Sequence, residues 1–293
     1  MRKTKLTSLL CCILCLLPSA SCGSTENREI KYEYGVFLGV SDEKIDDMLE
    51  YKKIVLDAQY FSAEDIQMLK NTGHTVYSYI NIGSIEDFRP YYKDHERLTL
   101  GDYENWEEEK WVDVSDTQWQ AFIADELSAD ILGKGVDGLF VDNTDVYYHY
   151  PTQEIFDGVT EMLRGFKDKG TYVIINGGDK YVTDYLNQNG NLDDIMDAVN
   201  QETVFSKINW EDETFSANDD SEKAYFKEYA ETVGNCGKDV YLLEYTKDKQ
   251  LIEKIAEYCE NKGFTYYAAE TIELEIPKTY NGAQKIKTPS EKN

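Results

Sequence analysis

Short apolar runs alternate with amphipathic segments from about residue 34 to residue 269, and this alternation restricts the fold more than any other feature. The runs at 34–40, 54–58, 76–82, 111–114, 138–142, 172–176, 197–202, 240–245 and 264–269 read as strands. Between them, apolar residues recur at helical spacing. Ile155, Val159, Met162, Leu163 and Phe166 form one stripe closed by Gly170, and Leu251, Ile252, Ile255, Ala256 and Cys259 form another before Gly263. Ser62 and Ser115 each open a capping pattern. Strands alternating with helices pair in parallel through crossovers. The prediction is an α/β fold, a single-domain (β/α)8 barrel of the TIM type over residues 32–276, with an open doubly wound sheet as the rival. Nine strands compete for eight places, so one is peripheral; 34–40 and 264–269 are the candidates.

Outside that region the chain changes character. Arg2, Lys3 and Lys5 precede an apolar run at 9–17 and the small residues Ser19, Ala20 and Ser21 before Cys22. This reads as a signal peptide over 1–21, too short to anchor stably across a bilayer. It resembles a bacterial lipoprotein signal, which implies lipidation of Cys22 and a surface location. Residues 22–31 read as a polar tether and 277–293 as a disordered polar tail. Cys236 and Cys259 are then the cysteines of the folded part, and pairing between them is left open.

The formal charge is −26, and −29 without Arg2, Lys3 and Lys5. A surface so acidic excludes nucleic acid, whose binding needs Lys and Arg against phosphate. It also disfavours anionic membranes, leaving a lipid at Cys22 as the route to a bilayer. A cationic or neutral ligand suits it.

Polar residues cluster where a buried parallel strand should be apolar, at the C-terminal ends, and in a barrel those ends build the site. Asp57, Tyr79, Asn81, Asp142, Asn143, Asp145, Asn176, Asn200, Glu202, Glu244 and Tyr245 all fall there. Each alone could be a helix cap or a turn former; together they point to a cleft. His74, His95 and His149 have no partner at metal-ligand spacing, so no metal and no cofactor is expected. A nucleophile elbow and a phosphate-binding glycine loop are also missing. What remains is carboxylates with tyrosines and tryptophans, the equipment of glycoside hydrolysis. Phe88, Tyr91, Tyr92, Tyr103 and Trp106 in one loop, and Phe205, Trp210 and Phe215 in another, suggest the rims of a polymer-binding groove.

The blocks at 79–88 (YINIGSIEDF), 135–145 (GVDGLFVDNTD) and 200–205 (NQETVF) resemble glycoside hydrolase family 114, over roughly residues 32–275. The resemblance implies endo-α-1,4-polygalactosaminidase-like activity: retaining hydrolysis of α-1,4-linked galactosamine-containing polysaccharide. By position it implies Asp142 as nucleophile and Glu202 as general acid/base. Asp57, Tyr79, Asn81, Asn143, Asp145, Asn176, Glu244 and Tyr245 are expected to bind substrate, and the protein is expected to be a monomer. The alternative is a glycan-binding surface lipoprotein without turnover on the same barrel. A calcium-stabilised adhesin using acids such as Glu211 and Glu213 is a third reading, without EF-hand spacing to support it.

Overall fold

The computed structural model describes residues 29–278 and 282–287. The signal segment and Cys22 therefore lie outside the described residues. Eight parallel strands form one sheet: β1 (Tyr32–Phe37), β2 (Tyr51–Leu56), β3 (Thr75–Asn81), β4 (Gly138–Asp142), β5 (Tyr172–Asn176), β6 (Ala198–Glu202), β7 (Asp239–Tyr245) and β8 (Thr265–Ala269). They follow one another in chain order around the sheet, and β1 approaches β8 to give a nearly closed (β/α)8 barrel. Among the described residues, no helix is long and apolar enough to cross a membrane.

Helices between the strands obey the stripes read from sequence. Helix Gln153–Asp168 begins where the Thr152 side chain accepts from the Ile155 amide, and it buries Ile155, Val159, Met162, Leu163 and Phe166. In helix Ala63–Asn71 the Ser62 and Asp65 side chains cap each other's backbone amides. The Ser115 pattern works one residue later: Asp116 is the cap, accepting from the Gln118 and Trp119 amides.

The peripheral strand is not one of the two suspected. Both 34–40 and 264–269 lie in the barrel, as β1 and β8, while Trp111 and Val112 belong to strand Glu109–Val112. That strand pairs antiparallel with Ser84–Glu86 and Thr99–Asp102 in a small sheet standing on the β3–β4 connection. A second excursion, the hairpin of Ser206–Asn209 and Thr214–Ala217, follows β6.

Tyrosines fill the barrel. Tyr34, Tyr77, Tyr172 and Tyr241 come one each from β1, β3, β5 and β7, the alternate-strand layering of such barrels. Tyr34 packs on Tyr241 with ring centroids 4.6 Å apart, and Tyr77 stacks on Tyr172 at 5.4 Å. Rings this large occupy the lumen, but each buried hydroxyl needs a partner. Tyr172 donates to Asp239 (2.6 Å), Tyr241 accepts from Lys53 (2.8 Å), and Tyr34 donates to Asn200 (3.1 Å).

The tail expectation is corrected for its described part. Residues 282–287 lie along the β1/β8 seam: the Glu33 amide donates to Gln284 O (2.8 Å), the Gln284 amide to Tyr266 O (3.3 Å), and the Ile286 amide to Lys31 O (2.9 Å). The Tyr266 amide in turn donates to Gln284 Oε1 (3.2 Å). The segment thus satisfies edge groups that incomplete closure would leave unpaired. Deleting residues 282–293 is expected to lower stability by about 2–4 kcal/mol, at roughly 1 kcal/mol per hydrogen bond lost, in urea titration. An unchanged midpoint would contradict this role.

Candidate active site

The two acids singled out by position meet at one amide. Asp142 ends β4, Asn176 ends β5 and Glu202 ends β6, so all three project from the same mouth of the barrel. Asn176 Nδ2 donates to Asp142 Oδ1 at 2.9 Å and to Glu202 Oε1 at 2.8 Å. Those oxygens can be no farther apart than the two bonds laid end to end. With the two amide hydrogens about 120° apart, their separation is roughly 5 Å.

The Asn176 amide is itself oriented. Asn200 Nδ2 donates to Asn176 Oδ1 (2.7 Å), and Tyr34 donates to Asn200 Oδ1. This chain from the barrel core turns the NH2 end of Asn176 toward both carboxylates. Tyr245 donates to Glu202 Oε2 (2.9 Å), and the Asn143 amide donates to Asp142 Oδ1 (3.0 Å). Asn143 adopts φ of 64°, in the left-handed region that Asn tolerates better than most residues. Its carbonyl presses on Gly83, where a Cβ would come within 1.8 Å of Asn143 O. Gly83→Ala is therefore expected to displace Asn143 and with it Asp142. Activity should fall far more than the melting temperature, which paired assays of the purified variant would check.

A cavity of about 650 Å3 opens above the pair. Asp57, Tyr79, Asn143, Asp145, Asn176 and Tyr245 line it, as expected. Two expected ligands do not. Asn81 is buried beneath the wall, donating to Glu109 Oε1 (2.9 Å) and accepting from the Ser84 amide (3.0 Å). Glu244 is fully buried outside the cavity, its carboxylate taken up by the Phe205 and Ser206 amides and the Ser206 hydroxyl, and it anchors the loop after β6. Alternation explains the miss: on β7, Tyr241 and Tyr245 point into the barrel, so Glu244 points out.

Sequence reasoning also passed over Arg89, Glu86 and Glu109, which follow β3 in the irregular excursion. Arg89 pairs with Asp57 (2.7 Å) and with Glu86 (2.8 Å), all three buried at the cavity wall. Loop residues carry no periodicity, so nothing in their spacing gives this triad away. Above the site, Trp106 from that excursion meets Trp210 from the β6 hairpin, ring centroids 6.0 Å apart. Both line the cavity and remain part-exposed, as does Phe88.

Burial dominates the electrostatics. It pushes Asp142 up to about 8, helped by the charges of Glu202 and Glu109 and opposed by the hydrogen bond from Asn176. Burial also raises Glu202, against the bonds from Asn176 and Tyr245. Asp145, Glu109 and Glu244 each rise to about 7, burial being the first cause in every case. Burial and mutual repulsion both disfavour ionisation of two carboxyls this close, so the pair titrates as a unit and favours a shared proton.

These shifts fix a sign. Each group holds its proton more tightly folded than unfolded, so between about pH 4 and 8 the native state binds more protons. The stability these groups confer is complete below about pH 4 and is lost as pH rises toward 8. Melting temperature is expected to fall from pH 5.5 to pH 8.5, a trend that Asp142→Asn should flatten; a rise over that interval would contradict the assignment.

The model of glycoside hydrolase family GH114 matches residues 20–282. The fold resembles the glycoside hydrolase domain of PelA from Pseudomonas aeruginosa, with a TM-score of 0.68 at 14% identity over 84% of this chain and 96% of that one. It also resembles Ega3 of Aspergillus fumigatus, solved in complex with galactosamine, with a TM-score of 0.60 at 16% identity over 85% of this chain and 95% of that one. An uncharacterised protein of Thermotoga maritima is 21% identical over 259 residues, 81% of this chain and 78% of its own length. At such identities the solved structures speak for the barrel, and the family match speaks for the chemistry: the chain belongs to glycoside hydrolase family GH114.

Proposed function

We propose that this glycoside hydrolase is exported and cleaves α-1,4-linked, galactosamine-containing polysaccharide with retention of anomeric configuration. The observation that carries the reading is the single Asn176 amide that donates to both Asp142 and Glu202, from which a spacing of roughly 5 Å between the accepting oxygens follows. Retaining enzymes space their carboxyls at about 5–5.5 Å, and inverting enzymes need a wider gap for water. The galactosamine ligand of Ega3 supports the sugar class.

In this reading the shared proton, which burial favours on Asp142 in the free enzyme, passes to Glu202 as substrate binds, and Glu202 delivers it to the glycosidic oxygen. Asp142, as carboxylate, attacks the anomeric carbon and forms a glycosyl ester. Glu202, now ionised, takes a proton from water, which attacks the ester and frees Asp142. Asn176 donates to both carboxyls and keeps them in register as the proton moves. Tyr79, Phe88 and the Trp106–Trp210 pair offer ring faces to sugars, and the acid-rich mouth attracts a cationic polymer. Trp106→Ala is expected to raise KM on long polymer about 10-fold while leaving kcat within about 2-fold, the loss of one stacking surface. Steady-state kinetics on polymer and on short oligomers would check it.

Export and anchoring rest on the segment before residue 23. Cys22→Ser is expected to move the protein from the membrane fraction to the medium in its native host. The central test is product analysis on galactosamine-rich, partly acetylated and neutral α-glycans, with the anomer followed by proton NMR from the first minutes. Release of α-anomer from the galactosamine-rich members supports the reading. If every glycan stays intact, the reading fails.

A further inference from the structure

Glu109 is a polar group of the cavity wall that the proposed mechanism does not use. It stands at the start of strand Glu109–Val112, is about nine-tenths buried, and lines the cavity. One of its oxygens is saturated. Oε1 accepts from Asn81 Nδ2 (2.9 Å), from Asn143 Nδ2 (2.8 Å) and from the Ser84 hydroxyl. The other, Oε2, takes no hydrogen bond among the described residues and is not sealed in the protein.

Three neutral donors on one oxygen fix the carboxyl plane and leave Oε2 free on a residue that lines the cavity. Glu109 is tied to the chemistry, because Asn143 joins the two acids: its side chain donates to Glu109 while its backbone amide donates to Asp142. The neighbouring wall carboxylates have a cation of their own, since Asp57 and Glu86 share Arg89. Among the described residues no cation reaches Glu109, and its ordinary charge is held back by burial and by Glu86. An oriented buried carboxyl with a spare oxygen and no counter-ion is completed by a ligand that brings a positive charge and N–H donors.

We infer that Glu109 reads the amine of a 2-amino-sugar ring held over Asp142, and that it makes the site select free amine over N-acetylated sugar. The inference rests on the proposed hydrolase reading for the sugar class, but it concerns recognition and not turnover. An ammonium at Oε2 gains a charge-assisted hydrogen bond. An acetamide in that place brings one neutral N–H and a carbonyl and methyl with nowhere to form an ion pair.

Glu109→Gln is the discriminating change. The Gln carbonyl can accept the same three donors, so the wall is retained, while Oε2 becomes an NH2 that repels an ammonium. Binding is read by calorimetry in the Glu202→Gln background, so that turnover does not interfere, using galactosamine oligomers and their N-acetylated counterparts. Without the Glu109 substitution the free-amine oligomer is expected to bind about 10- to 100-fold more tightly than the acetylated one. Adding Glu109→Gln should abolish that ratio by weakening the amine ligand alone. Equal affinity for the two oligomers with Glu109 present overturns the inference and needs no further variant. A preference that survives Glu109→Gln overturns it as well. A preference lost on Glu109→Gln, in a chain that cleaves no polymer, leaves the inference standing and removes the hydrolase reading instead.

Discussion

Asp142→Asn is expected to lower turnover at least about 10^4-fold while raising the melting temperature. The rate effect follows from the step at stake: without a carboxylate at the anomeric carbon no glycosyl ester forms, and losses of this size accompany removal of a nucleophile. The stability effect follows from the cavity. Burial pushes the Asp142 carboxyl up to about 8, so ionising it in the folded chain is costly, and Glu202 adds repulsion. An amide keeps the shape, removes that charge, and leaves an oxygen that can accept from Asn176. Glu202→Gln should lose comparable turnover on natural linkages. It should lose much less on aryl glycosides, whose leaving group needs no proton. Kinetics on both substrate types with thermal melting would check the pair. Equal losses for Glu202→Gln on both substrates would remove its role as proton donor.

Asn176→Ala is the second large effect. It removes the donor shared by Asp142 and Glu202. Loss of one preorganised donor typically costs about 10^2–10^3 in kcat. The pH profile should shift in a known direction. A hydrogen bond to a carboxylate favours the charged form, so its loss raises Asp142 further. The acidic limb of kcat/KM, where the nucleophile becomes protonated, is therefore expected to move to higher pH. Asn200→Ala should act the same way more weakly, by freeing the Asn176 amide to rotate. An unshifted limb in Asn176→Ala would show that the amide is scaffolding only.

How much of this was legible in the sequence depends on periodicity. The barrel strands stand out as short continuous apolar runs and the main helical stripes repeat with a period of 3.6, so their apolar residues announce themselves. Asp142 and Glu202 stand out because an acid at the end of an apolar run violates that pattern. The same rule overreached at Glu244, because it ignored which face a strand residue takes; alternation with Tyr245 puts Glu244 outside the lumen. It also misplaced Asn81, whose amide supports the wall instead of lining it. The peripheral strand was misidentified because Trp111 and Val112 are as apolar as barrel strands and nothing local distinguishes antiparallel from parallel pairing. Arg89, Glu86 and Glu109 come together through an irregular excursion that only the folded chain assembles. The seam segment 282–287 was hidden by its polarity, since it contributes backbone groups more than side chains.

The measurement that bears most directly on the account is covalent trapping. The protein would be incubated with an activated fluoro-galactosaminide, whose ester with the nucleophile is slow to hydrolyse, and its peptides then weighed. The account predicts one sugar attached per chain, on the peptide bearing Asp142, with labelling abolished in Asp142→Asn. An unlabelled enzyme that still turns over natural polymer to β-anomer, or a label that persists in Asp142→Asn, would contradict it.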